Sequence, residues 1–351
     1  MKSLDLLTPP RKGLGAVNRR LMSVASDHLV DLSPLAPGAA GAAIPWLVRP
    51  LVEGVDVAGW ASERRELVAG WLRAHRALLF RGFGIRTVVA FHALVKATSG
   101  GELLQYKDRS TPRPEVGQGV YVSTVYPAAQ SINMHNEGTY WRRFPRKLYF
   151  CALRVAAQGG ETPIADVRRV LARLDPEVRE RFRALGVLYV RNYNDGFGLP
   201  WQEVFQTTSR AEVEAYCGDN AIELEWKENG RLRTRQARPA VRRHPDTGEE
   251  VWFNHGAFFH VSSLEPAIRE PLLADFGEEG LPYNTYYGDG TPIPVEVVEQ
   301  IQAAYRDQRV IFPWQEGDVL LLDNLTVAHG RQPYSGERQV VVAMTEPCGD
   351  D

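Results

Sequence analysis

From about residue 100 onward the chain is cut into short segments rich in Val, Tyr, Phe and Trp, each closed by Gly, Pro or Asp. These segments lie at 120–125, 148–154, 187–193, 251–254, 319–322 and 339–344. Branched and aromatic side chains suit a pleated, half-buried surface, and turn residues at this spacing leave little room for long helices. The pattern predicts many short strands closed into a sandwich or barrel. Two helical insertions are expected within it, at 167–185 and 294–307, the second introduced by Pro292 and Pro294.

The segments before residue 100 read differently. Residues 55–76 carry a helical pattern, with Leu67, Val68, Trp71 and Leu72 on one face and Glu66 and Arg73 on the other. A strand follows in Ala77-Leu-Leu-Phe-Arg-Gly-Phe, then a second helix at 87–98 stopped by Gly100-Gly101. Residues 1–45 are rich in Pro, Gly and Ala without sustained periodicity, and read as an irregular N-terminal arm. Residues 46–351 read as a single domain, mainly β with flanking helices.

Composition narrows the function classes. The formal charge of −2 offers no global basic field, so no nucleic-acid partner is expected. The three cysteines, Cys151, Cys217 and Cys348, are widely spaced, which argues against a disulfide framework or a structural zinc site. The apolar stretch from Leu35 to Val48 is interrupted by Pro37, Gly38, Gly41 and Pro45, so neither a signal peptide nor a membrane span is expected. A cytoplasmic location is the expectation.

One constellation carries chemistry. His135 and Glu137 stand two apart behind a strand-like run, and in extended chain that spacing points both side chains to one side. A third ligand, His329, follows the apolar run Leu321-Leu322 and a turn. Two histidines and one carboxylate on one face leave open positions, an arrangement suited to iron(II) and oxygen chemistry. His244-Pro-Asp246 has the same spacing but sits among turn residues and charges, and reads as a solvated hairpin tip. His255 and His260, on an apolar segment, read as core or pocket-lining histidines. Asn133 and Asn136 flank the ligands.

Taken together, Met134-His135-Asn136-Glu137, Gly159-Gly160-Glu161-Thr162, Trp314-Gln-Glu-Gly317-Asp318, Asp323-Asn324, His329-Gly-Arg331 and Arg338 resemble the TauD/TfdA superfamily of iron(II)/2-oxoglutarate dioxygenases. Glu161-Thr-Pro-Ile-Ala-Asp166, Arg191-Asn-Tyr and His244-Pro-Asp-Thr-Gly resemble its syringomycin-type (SyrP-like) hydroxylases most. The resemblance runs from about Ala77 to Met344. It implies a double-stranded β-helix (jelly-roll) core, iron(II) on His135, Glu137 and His329, and 2-oxoglutarate and O₂ as co-substrates. It gives 2-oxoglutarate the Thr162 hydroxyl and, for the distal carboxylate, Arg338 with Arg331 as fallback. A planar guanidinium suits that role because it grips a carboxylate bidentately. Arg191, Phe253 and Asn254, with Asn133 and Asn136, are candidates for the substrate side.

The reaction so implied couples decarboxylation of 2-oxoglutarate to hydroxylation of an sp3 C–H bond. The substrate expected is an amino acid or amino-acid-derived small molecule of natural-product biosynthesis, free or tethered to a carrier protein. Related halogenases place a small residue where this chain has Glu137, so hydroxylation is expected and halogenation is not. The basic run Arg231, Arg233, Arg235, Arg238, Arg242 and Arg243 reads either as the solvated face of a strand pair or as a docking surface for an acidic carrier. A catabolic dioxygenase of a sulfonate or aryloxy compound is the alternative within this chemistry. A non-catalytic jelly-roll binding protein and a zinc hydrolase are the alternatives outside it.

Overall fold

The computed structural model describes residues 29–35, 44–101, 103–104, 108, 114–117, 119–123, 126–193 and 198–349. Among them the largest sheet has eight strands. Their spatial order is Val30–Pro34, Trp46–Pro50, Ala77–Phe80, Val319–Asp323, Arg143–Arg154, Gln339–Gly349, Val120–Val122 and Glu115–Gly117. Only Trp46–Pro50 and Ala77–Phe80 run parallel, and two helices make the crossover that parallel pairing needs.

Strands in the middle of this sheet send alternate side chains into two different cores. Leu148, Phe150, Leu320, Leu322, Val340 and Val342 enter one, while Tyr149, Cys151, Val319, Leu321 and Val341 enter the other. Burial on both faces is why Val319–Asp323 is apolar without alternation. The second core is roofed by helices Val57–Glu63, Arg65–His75 and Val88–Thr98, through Trp60, Val68, Leu72, Phe91 and Leu94. Asp56 and Thr87 cap the first and third of these, each accepting from a backbone N–H three residues on.

The first core is closed by two smaller sheets. One orders Ile132–His135, Val327–Arg331 and Ile164–Asp166; the other orders Glu223–Trp226, Leu232–Arg238, Val187–Tyr193 and Tyr283–Tyr287. Ile164, Val327 and Ala328 from one, and Val187, Tyr189 and Tyr287 from the other, face Leu148, Phe150 and Val340 across the interior. The result is a jelly-roll core with helices packed outside it.

Several expectations need correction. The N-terminal arm is not irregular throughout, because Val30–Pro34 pairs antiparallel with Trp46–Pro50 as the sheet's edge strand; residues 1–28 lie outside the described residues. The single helix expected at 55–76 is two, broken at Arg64, whose backbone leaves the helical region. Val68 and Leu72 form the buried face of the second, and Leu67 is exposed. The strand expected at 120–125 is described as Val120–Val122, with 124–125 outside the described residues. Helices Trp201–Phe205, Arg210–Asp219 and Pro266–Gly280 were not anticipated.

The basic run is not a solvated face throughout: Arg243 is exposed and Arg231, Arg235 and Arg242 are half-buried, but two members are enclosed. Arg233 is buried, its Nε donating to Asn192 Oδ1 and its guanidinium to the Glu279 carbonyl. Arg238 is buried too, donating to the carbonyls of Tyr140 and Asn220. Both tie neighbouring loops to the Leu232–Arg238 strand, which also leaves Arg233 unable to present itself to a docking partner.

Phe253, a substrate-side candidate, is sealed in the core with its ring 4.6 Å from that of Phe144. Phe253→Ala should therefore act on stability, lowering the free energy of unfolding in urea by about 3–5 kcal/mol.

Candidate metal centre and its two cavities

The centre begins with a strand pairing. His135 ends the Ile132–His135 strand and lies directly across from His329 in the antiparallel Val327–Arg331 strand, with ring centroids 4.4 Å apart. The register slips between His329 and Arg331, a bulge that turns the strand just beyond the ligand. Gly330 sits in that slip, where an added Cβ would come within 2.7 Å of the Ile132 carbonyl oxygen. The strand ends at His135, so Glu137 lies not in extended chain but in the turn that follows.

His135, Glu137 and His329 are all buried, and one potential ligand atom from each lies within 4.8 Å of the other two. His135 Nδ1 faces the Asn133 carbonyl at 2.8 Å. A carbonyl only accepts, so Nδ1 carries the proton and Nε2 keeps its lone pair for a metal. Two imidazoles and one carboxylate in a buried cluster fit iron(II), because this donor set leaves part of the coordination sphere open.

Two cavities meet at these donors. The smaller is lined by His135, His329, Thr162, Arg331, Arg338 and Ser123. The Thr162 hydroxyl accepts from Trp314 Nε1 at 3.2 Å, which leaves its own proton available to the cavity. Arg338 donates through Nε to the Gly160 carbonyl at 2.9 Å. Gly160 has φ +76°, and a Cβ there would sit 2.9 Å from Arg338 Cδ, so glycine is what lets the arginine pass. Burial and the neighbouring Arg331 charge push the Arg338 pKa down to about 10. Among the described residues neither arginine forms an ion pair with a carboxylate, so the cavity carries positive charge. Arg331 itself donates to the carbonyls of Tyr126, Pro127 and Gln130. It pins the 126–130 loop, which borders the second cavity.

The larger cavity, about 450 Å³, lies on the Glu137 side and is walled by Tyr126, Phe258, Phe259, Ile268 and Tyr283, with His255. His255 Nε2 donates to the Asn136 carbonyl at 2.7 Å, and burial with the adjacent His135 pushes its pKa down to about 3. It is a neutral imidazole on an aromatic wall.

The other candidates divide. Asn133 is exposed on the rim of the large cavity. Asn136 is buried, donating to the Asn324 carbonyl. Asn254 bonds to the Ala240 carbonyl and the Gly256 N–H, and lines a neighbouring cavity of about 270 Å³. Arg191 does not reach the donors; it is buried in an ion pair with Asp108 at 2.7 Å. His244 is not the solvated tip expected. It is 2% exposed and meets Asp323 Oδ2 at 2.8 Å. Its Nδ1 accepts from the N–H groups of Asp246 and Thr247, so the proton sits on Nε2 and is donated to the carboxylate. Trp314, Asn324 and His244 support the site without having been assigned a role in it by sequence, and only their place in or beside the quoted motifs hinted at one; His255 lines the large cavity, in line with the expectation of a core or pocket-lining histidine.

Fold and donor set define a mononuclear non-haem iron(II)/2-oxoglutarate dioxygenase. The model of the taurine catabolism dioxygenase TauD, TfdA family matches residues 34–345, and the chain belongs to that family. It is 49% identical over 271 residues to the dapdiamide synthesis protein DdaC of Enterobacter agglomerans, covering 77% of this chain and 82% of that one. It is 30% identical over 320 residues to a clavaminate synthase-like protein of Arabidopsis thaliana, covering 88% and 92%. The crystal structure of PvcB from Pseudomonas aeruginosa shares the fold, with a TM-score of 0.54 at 18% identity over 92% of this chain and 93% of that one. Among the described residues no helix is long and apolar enough to cross a membrane.

The His244–Asp323 bond braces the turn that leads to His329. His244→Ala should cost about 2 kcal/mol, the range for a hydrogen bond to a charged group, read as a lowered thermal midpoint.

Proposed function

We propose that this enzyme hydroxylates an sp3 C–H bond of an amino acid or amino-acid-derived molecule in natural-product biosynthesis, the substrate lying in the aromatic-walled cavity. One observation carries the reading. The three donor atoms stand between a small cationic cavity and a larger, largely uncharged one, which gives a dicarboxylate co-substrate and an organic substrate separate places. The relationship to a dapdiamide synthesis protein supports the biosynthetic setting.

In this reading His135, Glu137 and His329 hold iron(II), which supplies the open positions and redox chemistry that couple 2-oxoglutarate decarboxylation to C–H oxidation. Arg338 binds the distal carboxylate of 2-oxoglutarate and the Thr162 hydroxyl donates to it. Arg331 holds the 126–130 loop in place, so its part is to shape both cavities. Phe258, Phe259 and Tyr283 exclude water from the reacting carbon and aim it at the donors. Asn133 meets substrate at the rim, while Asn136 and Asn254 hold backbone behind the wall. The substrate reaches the site free or on a carrier protein; with Arg233 enclosed, the Arg231–Arg235 run gives the carrier route no support.

Anaerobic protein with iron(II) and 2-oxoglutarate should develop a weak visible charge-transfer band that His135→Ala abolishes. Arg338→Ala should leave iron uptake intact and raise the half-saturating 2-oxoglutarate concentration roughly 10–100-fold, the loss of a charged hydrogen-bonded pair. A wild-type protein that shows no band and prefers zinc would sink the oxygenase mechanism.

A further inference from the structure

Glu137 presents a mechanical problem. The strand that carries His135 ends there, so no ladder holds the backbone of the two residues that follow, although one of them must keep a carboxylate aimed at the histidines. The Glu137 backbone is nonetheless bonded at both its N–H and its carbonyl, and the partner is a side chain. Asn324 Oδ1 accepts from the Glu137 N–H at 2.8 Å, and Asn324 Nδ2 donates to the Glu137 carbonyl at 2.9 Å. The same Nδ2 donates to the Pro145 carbonyl at 2.8 Å. Asn136 Nδ2 returns a bond to the Asn324 carbonyl at 2.6 Å, and the Asn324 N–H donates to Arg146 at 2.8 Å. Every polar group of Asn324 is thus engaged, and the residue is 0% exposed.

The location of Asn324 matters as much as its bonds. It stands in the turn between Val319–Asp323 and Val327–Arg331, the turn that feeds His329 into the site. One side chain therefore ties the segment bearing the carboxylate to the hairpin bearing the second histidine.

We propose that Asn324 is the positioning residue for the metal-binding carboxylate. Its amide replaces the missing strand pairing at Glu137 and fixes the distance from that carboxylate to the two histidines. No other common side chain of this length offers an acceptor and two donors in one plane, which is what a backbone N–H and two carbonyls require. Asp would set a carboxylate oxygen against two carbonyls, and Ser is too short to span them. The proposal rests on the metal reading of the site.

The test uses the full-length apoprotein and cobalt(II) as the probe, with affinity from calorimetric titration and thermal midpoints recorded with and without metal. Asn324→Asp preserves volume and the bond to the Glu137 N–H but loses both donors; Asn324→Ser removes the amide without adding charge. Both should weaken cobalt(II) binding roughly 10–100-fold, as loss of a residue that orients a ligand does. Both should also reduce the metal-induced rise in midpoint. In a Glu137→Ala background neither should weaken binding further, because Asn324 acts through Glu137. Wild-type affinity in both variants, or a full additional loss in the Glu137→Ala background, overturns the proposal and leaves the metal site standing. A wild-type protein that takes up no cobalt(II), or a Glu137→Ala variant that binds it as tightly as wild type, overturns the metal reading and the proposal with it.

Discussion

The pairing of His135 with His329 is the contact on which the site depends. The two residues lie far apart in sequence, yet they are direct partners across an antiparallel ladder. Opposed positions in such a ladder hold their Cβ atoms about 5 Å apart, a separation from which two imidazoles can converge on one ion. A slip of one residue would turn either ring to the other face of the sheet. The slip between His329 and Arg331 occurs one step beyond the ligand, where Gly330 permits the close approach. Register is thus kept at the histidine and shifts immediately after it, so that Arg331 pairs with Ile132 while its side chain holds the 126–130 loop.

Charge divides the space around that pair. On one side burial pushes the Arg338 pKa down, and the nearby Arg331 charge adds to the effect. Two guanidinium groups in a partly desolvated slot repel, and a carboxylate placed between them relieves that cost. On the other side burial keeps His255 neutral, and the wall is aromatic. Charge therefore favours an anion on the Arg338 side.

Much of that frame was legible in the sequence, and so were the three donors. The strand segments announced themselves because β-branched and aromatic residues fill a sheet buried on both faces. What escaped had physical causes. Arg233 and Arg238 look solvated in a linear reading, since nothing local shows that backbone carbonyls from distant loops will surround them. His244 looks like a turn residue, and is one, but Asp323 comes from another hairpin to bury it. The Pro266–Gly280 helix carries Pro271 and a break at Gly277, so its pattern has no sustained helical period. The role of Asn324 was invisible for a related reason: its bonds go to backbone, which every sequence has.

These two kinds of legibility bear on how function is distributed along the chain. His135, His329, Thr162 and Arg338 stand on or beside strands of the β frame, where register fixes them. A large part of the large cavity's wall comes instead from His255, Phe258, Phe259, Leu264 and Ile268, on the insertion between the Glu250–Trp252 and Tyr283–Tyr287 strands. That insertion is held from behind by Arg233 and Asn192, which both bond to the Glu279 carbonyl. Substitutions in the insertion can reshape the cavity without touching the ligand register, whereas substitutions in the frame disturb every ligand at once. The ligand register and the wall of the large cavity are thus carried by separable parts of the structure. Relatives of moderate identity can share the first while differing in the second, and the buried arginine strand is what lets the variable part rest on a fixed one.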